Sequence, residues 1–132
     1  MTHTDQTRRT TLAGLVVLTA ALPGIAEASV DPIFTVIERH RELSVHLDAA
    51  VSVSGKLLDG PEFDAAEAVA EQCSQTLIEH ADVLIRSKPT TIAGIVALSR
   101  YVGTLGEWQL PDDQGWHQTL LGTMADALDG MA

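Results

Sequence analysis

The chain has 132 residues, with 18 acidic side chains against 8 lysines and arginines and a formal net charge of −10. That length supports one hydrophobic core but not two, and 45% hydrophobic residues is too many for a disordered chain. The negative balance argues against nucleic-acid binding and against docking on an anionic membrane face, while 4% aromatics leaves few of the large rings that fill sandwich and barrel cores.

Residues 1–28 read as an export signal peptide. Thr7-Arg8-Arg9-Thr10 supplies positive charge, an apolar run follows from Leu12 to Leu22, and Pro23-Gly24 closes it. Ala26-Glu27-Ala28 is then a small-x-small cleavage pattern with Ser29 as the expected new N-terminus. A buried N-terminal helix of the fold would not require that order of signals. The run is shorter than the roughly 20 residues of a bilayer span, so no stable membrane span is expected once the leader is removed. The paired arginines favour twin-arginine translocation over the general secretory route, with Thr11 standing where that motif usually has Phe. The expected location is periplasmic or secreted. Residues 29–132 form the single mature domain, which keeps the net charge of −10 because Asp5 and Glu27 cancel Arg8 and Arg9.

Behind the leader the chain reads as helices. Asp31-Pro32 is a start signal: an acceptor side chain at the cap, then proline where a missing N–H costs nothing. Ile33, Val36, Ile37, His40, Leu43, Ser44, Leu47, Ala50 and Val51 fall on one stripe at helical spacing, with Glu38, Arg39, Arg41, Glu42, His46 and Asp48 off it. Gly55 and Asp59-Gly60-Pro61 interrupt the pattern. A second helix starts at Pro61 with the stripe Phe63, Ala66, Ala70, Cys73, Leu77, His80 and Leu84, flanked by Val69 and Val83. It ends near Lys88, because Pro89 disfavours helical dihedrals in the residue before it. The short link makes the two helices an antiparallel hairpin.

Thr90 or Thr91 caps a third helix, Ile92 to about Val102, whose wide apolar face of Ile92, Ile95, Val96, Leu98 and Val102 marks it as the most buried element. Gly94 weakens it, and Gly103 and Gly106 mark its end. After a linker through Pro111, Asp112 or Asp113 caps a last helix whose apolar side is Trp116, Leu120, Leu121, Met124, Leu128 and Met131. No strand, repeat or low-complexity tract is visible. The expected fold class is all-α, a small antiparallel bundle of about four helices.

The search for chemistry returns little. There is no Gly-rich loop at a strand-to-helix junction, no CxxC, no HExxH and no Gly-x-Ser-x-Gly, and no catalytic, cofactor-binding or metal residue is assigned. His40 and His80 lie on apolar stripes and read as core histidines whose ring nitrogens find partners. If the hairpin turns near residue 57, His40 approaches Cys73 and Ser74, and His80 approaches Phe34. Cys73, the one cysteine, has no intramolecular partner and reads as a small buried residue. The competing reading takes His40, Cys73 and His80 as the core of a metal- or haem-binding bundle, although a closed zinc site wants four ligands. Glu38, Glu42 and His46 approach Glu67 and Glu71 in the same register, but the Glu-x-x-x-His spacing is not that of a carboxylate-bridged metal bundle, and the group reads as a solvated acidic face. Trp108 and Trp116 read as plugs for the open end of the bundle rather than as an exposed aromatic pair for ligand or partner stacking, with His117 at the plug's edge.

Three blocks, Asp31-Pro32-Ile33-Phe34 with Ile37-Glu38-Arg39-His40-Arg41, Pro89-Thr90-Thr91-Ile92-Ala93-Gly94-Ile95 with Tyr101, and Trp116-His117 with Leu120-Leu121 and Ala125-Asp126-Ala127-Leu128, occur in that order. On them the chain resembles small, uncharacterised helical proteins of rhizobial-type alphaproteobacteria, some with an Arg-Arg leader. The resemblance implies an all-α fold and a bacterial origin; it brings no activity, cofactor or catalytic residue. The chain departs from that group in the short link between its first two helices, where the group has longer acidic stretches.

The expectation is therefore an exported helical domain that binds rather than catalyses. Its contact surface is the acidic face of the first two helices, including Glu67, Glu71, Glu79 and Asp82, and its partner is a basic protein, a basic peptide or a cationic small molecule.

Overall fold

A computed structural model describes residues 30–132; the leader read at residues 1–28 lies outside the described residues. Among the described residues there are four α-helices, one short 3-10 turn and no strand: α1 (Ile33–Ser54), α2 (Pro61–Arg86), α3 (Ile92–Gly103), the turn η1 (Glu107–Gln109) and α4 (Trp116–Met131). The all-α bundle is therefore present. No helix among the described residues is long and apolar enough to cross a membrane.

α1 and α2 form the principal helix–helix interface, α3 packs on α1, α4 packs on α2 and α3, and η1 lies against α2. The turn between α1 and α2 passes through Gly60 at φ +93°, in the left-handed region that glycine alone tolerates readily, and Pro61 then opens α2. Where all four helices meet, Ile33, Ile37, Leu84, Ile85, Leu98, Tyr101, Val102 and Leu120 form the main core. Further along the hairpin, α1 and α2 alone supply a smaller cluster of Leu43, Leu47 and Leu77, with Cys73 packed against it. The bundle is thus four helices deep at one end and two at the other.

The start of α1 does more than the capping motif predicts. Asp31 is 2% exposed. Its Oδ1 accepts a hydrogen bond from Ile33 N at 3.0 Å, the cap expected of it. Its Oδ2 accepts from Thr90 N and Thr91 N, both at 3.0 Å, and from the Thr91 hydroxyl at 2.7 Å. Thr91 Oγ1 in turn accepts from Gly94 N at 3.0 Å, capping α3. One carboxylate thus sits at the starts of two helices, where both dipoles favour negative charge. Burial opposes that charge, but the bonds from Ile33, Thr91 and Thr90 together hold the carboxyl below its usual range.

Several positions on the expected stripes face outward. Ile92 and Val96 are exposed, and α3 buries Gly94, Leu98, Tyr101 and Val102 instead. The cause is local: Gly94 lies so close to Asp31 that a Cβ there would fall 1.9 Å from Oδ2, which fixes the helix's rotation with Gly94 inward and Ile92 outward. α3 still buries four of its twelve residues, against seven of twenty-two in α1. α4 turns Leu120 and Ala127 inward and leaves Leu121 and Leu128 exposed. Val51, Val69 and Val83 are exposed too, because only one narrow seam of each hairpin helix is covered.

Candidate functional site

His40 is fully buried at the junction of α1, α3 and η1. Its Nε2 lies 2.8 Å from the backbone oxygen of Gln109. A carbonyl only accepts, so Nε2 carries the proton and Nδ1 accepts from the Tyr101 hydroxyl, 2.7 Å away. The Gln109 side chain donates to Ser44 Oγ at 3.1 Å and accepts from Gly106 N at 3.0 Å, and the Ser44 hydroxyl donates back to His40 O at 2.9 Å. These bonds tie α1, α3 and η1 together. Burial is the main force pressing the imidazole's pKa below its ordinary value; the Gln109 carbonyl pulls upward and the nearby His80 pushes further down. The same burial raises the Tyr101 phenol, against the pull of Arg41, whose guanidinium sits 5.0 Å above the ring. A histidine and a tyrosine at this distance are the components of an acid–base pair. Here both ring nitrogens of His40 are engaged and the ring is shut off from solvent. The group is a strut.

The register between α1 and α2 differs from the one expected. His40 faces His80, with ring centroids 6.0 Å apart, rather than Cys73, a displacement of more than one helical turn. Cys73 lies against Leu43, Leu47 and Leu77. The metal or haem centre considered for His40 and Cys73 therefore lacks its convergence, and neither His40 nitrogen has a lone pair left for a metal. Among the described residues no group of three or more His, Cys, Asp or Glu is placed to hold a metal ion. His80 is not the satisfied core histidine expected: its Nδ1 is buried without a hydrogen-bond partner. Burial, followed by the charge of Arg39, lowers its pKa. Glu38 and Glu42 do not meet Glu67 and Glu71; they pair with Arg41 and Arg39 on their own helix. His46 instead borders a shallow recess with Cys73 and Thr76.

With that register, a different set converges where the bundle is only two helices deep. Leu47 and Val51 of α1 and Ala70 of α2 line an open cleft of about 540 Å³. Asp48, Glu67 and Glu71 stand around it, and Trp108 of η1 closes one side. None of the three carboxylates is paired with a base among the described residues. Asp82, by contrast, is bound by Arg86 at 3.0 Å and so withdrawn from the acidic face. Trp108 is half exposed and corrects the expectation that both indoles plug the bundle: only Trp116 packs on the main core, with His117 stacked on it at 3.6 Å. The strut described above holds the backbone of Gln109, the residue after Trp108, and so fixes the indole at the cleft. The sequence reading singled out Glu67 and Glu71, took Trp108 for a plug and missed Tyr101. Tyr101 was within reach, because it follows Leu98 by three residues on the buried side of α3.

Compared with known protein families, with curated proteins and with solved structures, the chain finds no match.

Proposed function

We propose that this chain is an exported, non-enzymatic binding domain, periplasmic or secreted, whose acidic cleft takes a cationic group from a basic protein, a basic peptide or a small cation. The observation that carries the reading is the convergence of Asp48, Glu67 and Glu71, without basic partners among the described residues, around apolar Leu47, Val51 and Ala70 and beside the exposed indole of Trp108. A lysine or arginine side chain has matching parts. Its methylene stem covers apolar surface, its head meets carboxylates, and an indole face attracts the cation by about 0.5–2 kcal/mol. The order of charge, apolar run, helix breaker and small-x-small in residues 7–28 supports export.

Calorimetric titration with a short lysine-rich peptide tests the cleft. Binding should weaken clearly between low and high salt, since exposed charges are screened over about 8–10 Å at physiological ionic strength. Reversing Glu67 and Glu71 together to Lys should abolish it without changing the helical circular dichroism, because both side chains are exposed. Equal binding by that double variant means that the acids only keep the protein soluble. Mass spectrometry of the protein from its own cell envelope should give an N-terminus at or within a few residues of Ser29; an intact Met1 in a soluble cytosolic pool would overturn the export half of the reading.

A further inference from the structure

A second cleft, of about 380 Å³, opens on another part of the surface, between the first half of α1 and α3. Phe34, Ile37, Ala97 and Tyr101 line it, and Arg41, Arg100, Glu38 and Thr104 also border it. Two arginines against one carboxylate, Glu38, leave a positive excess here in a chain whose net charge is −10. Arg39, Arg41 and Arg86 each pair with a carboxylate on their own helix, whereas Arg100 has no carboxylate partner among the described residues. Arg41 is held in place rather than free: Glu38 takes one of its N–H groups, and its guanidinium lies 5.0 Å above the Tyr101 ring. That leaves further donors of its planar fork available. The Tyr101 hydroxyl is committed to His40, so the phenol offers the cleft its ring rather than its O–H. Phe34 keeps 45% of its surface exposed there, a large apolar side chain left uncovered beside two cationic ones.

We infer that this cleft binds a small organic carboxylate with an apolar or aromatic body, the carboxylate held by Arg100 and Arg41 and the body seated on Phe34, Ile37 and Ala97. A guanidinium fork matches a carboxylate in geometry as well as charge. The volume is that of a small-molecule site. An apolar floor without the arginines would accept neutral molecules equally well; the unpaired Arg100 makes the site selective for an anion. The inference stands apart from the acidic cleft, and either can fail without the other.

The experiment is an amide NMR titration of the full chain with benzoate, phenylacetate and hexanoate. Acetate serves as the charge without the body, and benzyl alcohol as the body without the charge. Saturable shifts are expected at residues 34–41 and 97–104 with at least one of the three acids, and at least tenfold weaker binding of acetate and benzyl alcohol. Arg100→Gln should weaken the acid at least tenfold and Arg41→Gln by a smaller factor. Both side chains are exposed, so circular dichroism should be unchanged. No saturable shift at those residues with any of the three acids, benzyl alcohol binding as well as benzoate, or Arg100→Gln binding as well as the parent would each overturn the inference.

Discussion

A carboxylate that accepts four hydrogen bonds from two helix starts has no neutral substitute, since an amide would point a donor at donors that already face it. Asp31→Asn should therefore lower stability by at least about 1.5–3 kcal/mol, the contribution of a hydrogen bond to a charged group, read as a shift of the urea midpoint. Gly94→Ala attacks the same contact from the other side, because its new Cβ would fall 1.9 Å from the Asp31 oxygen. The two changes should be strongly non-additive, since either one opens the clamp. His40 follows related logic. On sequence alone, His40→Leu looks neutral, because a buried histidine exchanged for a hydrocarbon can repack. With the structure in hand the expectation reverses. Leucine would orphan both the Tyr101 hydroxyl and the Gln109 carbonyl, at about 1–3 kcal/mol for each buried group left unpaired. Pairing it with Tyr101→Phe should recover part of the loss in thermal melts.

At the scale of the element, Leu77 is the test of the hairpin. It is fully buried in the small cluster that α1 and α2 build without help from the other helices. Leu77→Ala should cost about 2–5 kcal/mol by opening a cavity, while Leu121→Ala on the outward face of α4, at 66% exposure, should cost almost nothing. An unchanged midpoint for Leu77→Ala would mean that the seam of α2 is misplaced. What the sequence made legible here was the periodicity. The four helices, their order, the Asp31 and Thr91 caps and the break before Pro89 all follow from local rules. What it could not show was rotation and register. Glycine reads locally as a weak helix residue, yet Gly94 sets the rotation of α3 because of Asp31, more than sixty positions earlier. The hairpin register depends on how leucines interdigitate across the seam, which loop length alone does not specify. That error displaced His40 from His80 and hid the convergence of Asp48 with Glu67 and Glu71 at Trp108.

At the scale of the whole molecule, the two facing histidines make stability depend on pH. Burial first of all lowers both His40 and His80 below the ordinary 6.5, and each ring faces further groups that matter: His40 meets Tyr101, Gln109 and His80, while His80 feels Arg39. Between the depressed folded values and 6.5 the unfolded chain binds more protons than the folded one, so stability rises with pH across that window and is flat above it. Acidification from about pH 7 should therefore lower the urea midpoint, with a slope of at most about 1.4 kcal/mol per pH unit for each ring. His80→Asn should reduce the slope, because it removes one titrating ring and the charge that His40 would face. Asp31 acts in a separate window. Its carboxyl is also depressed, so its contribution persists until pH falls below the ordinary 3.8 and is lost only as the folded value is crossed. Tyr101, raised above 10.0, stays neutral throughout both. A two-step acid profile is thus expected, one loss below 6.5 from the histidines and a second below 3.8 as the folded value of Asp31 is crossed. A midpoint unchanged between pH 7.5 and 5 would show that the buried rings do not titrate differently in the folded and unfolded chains.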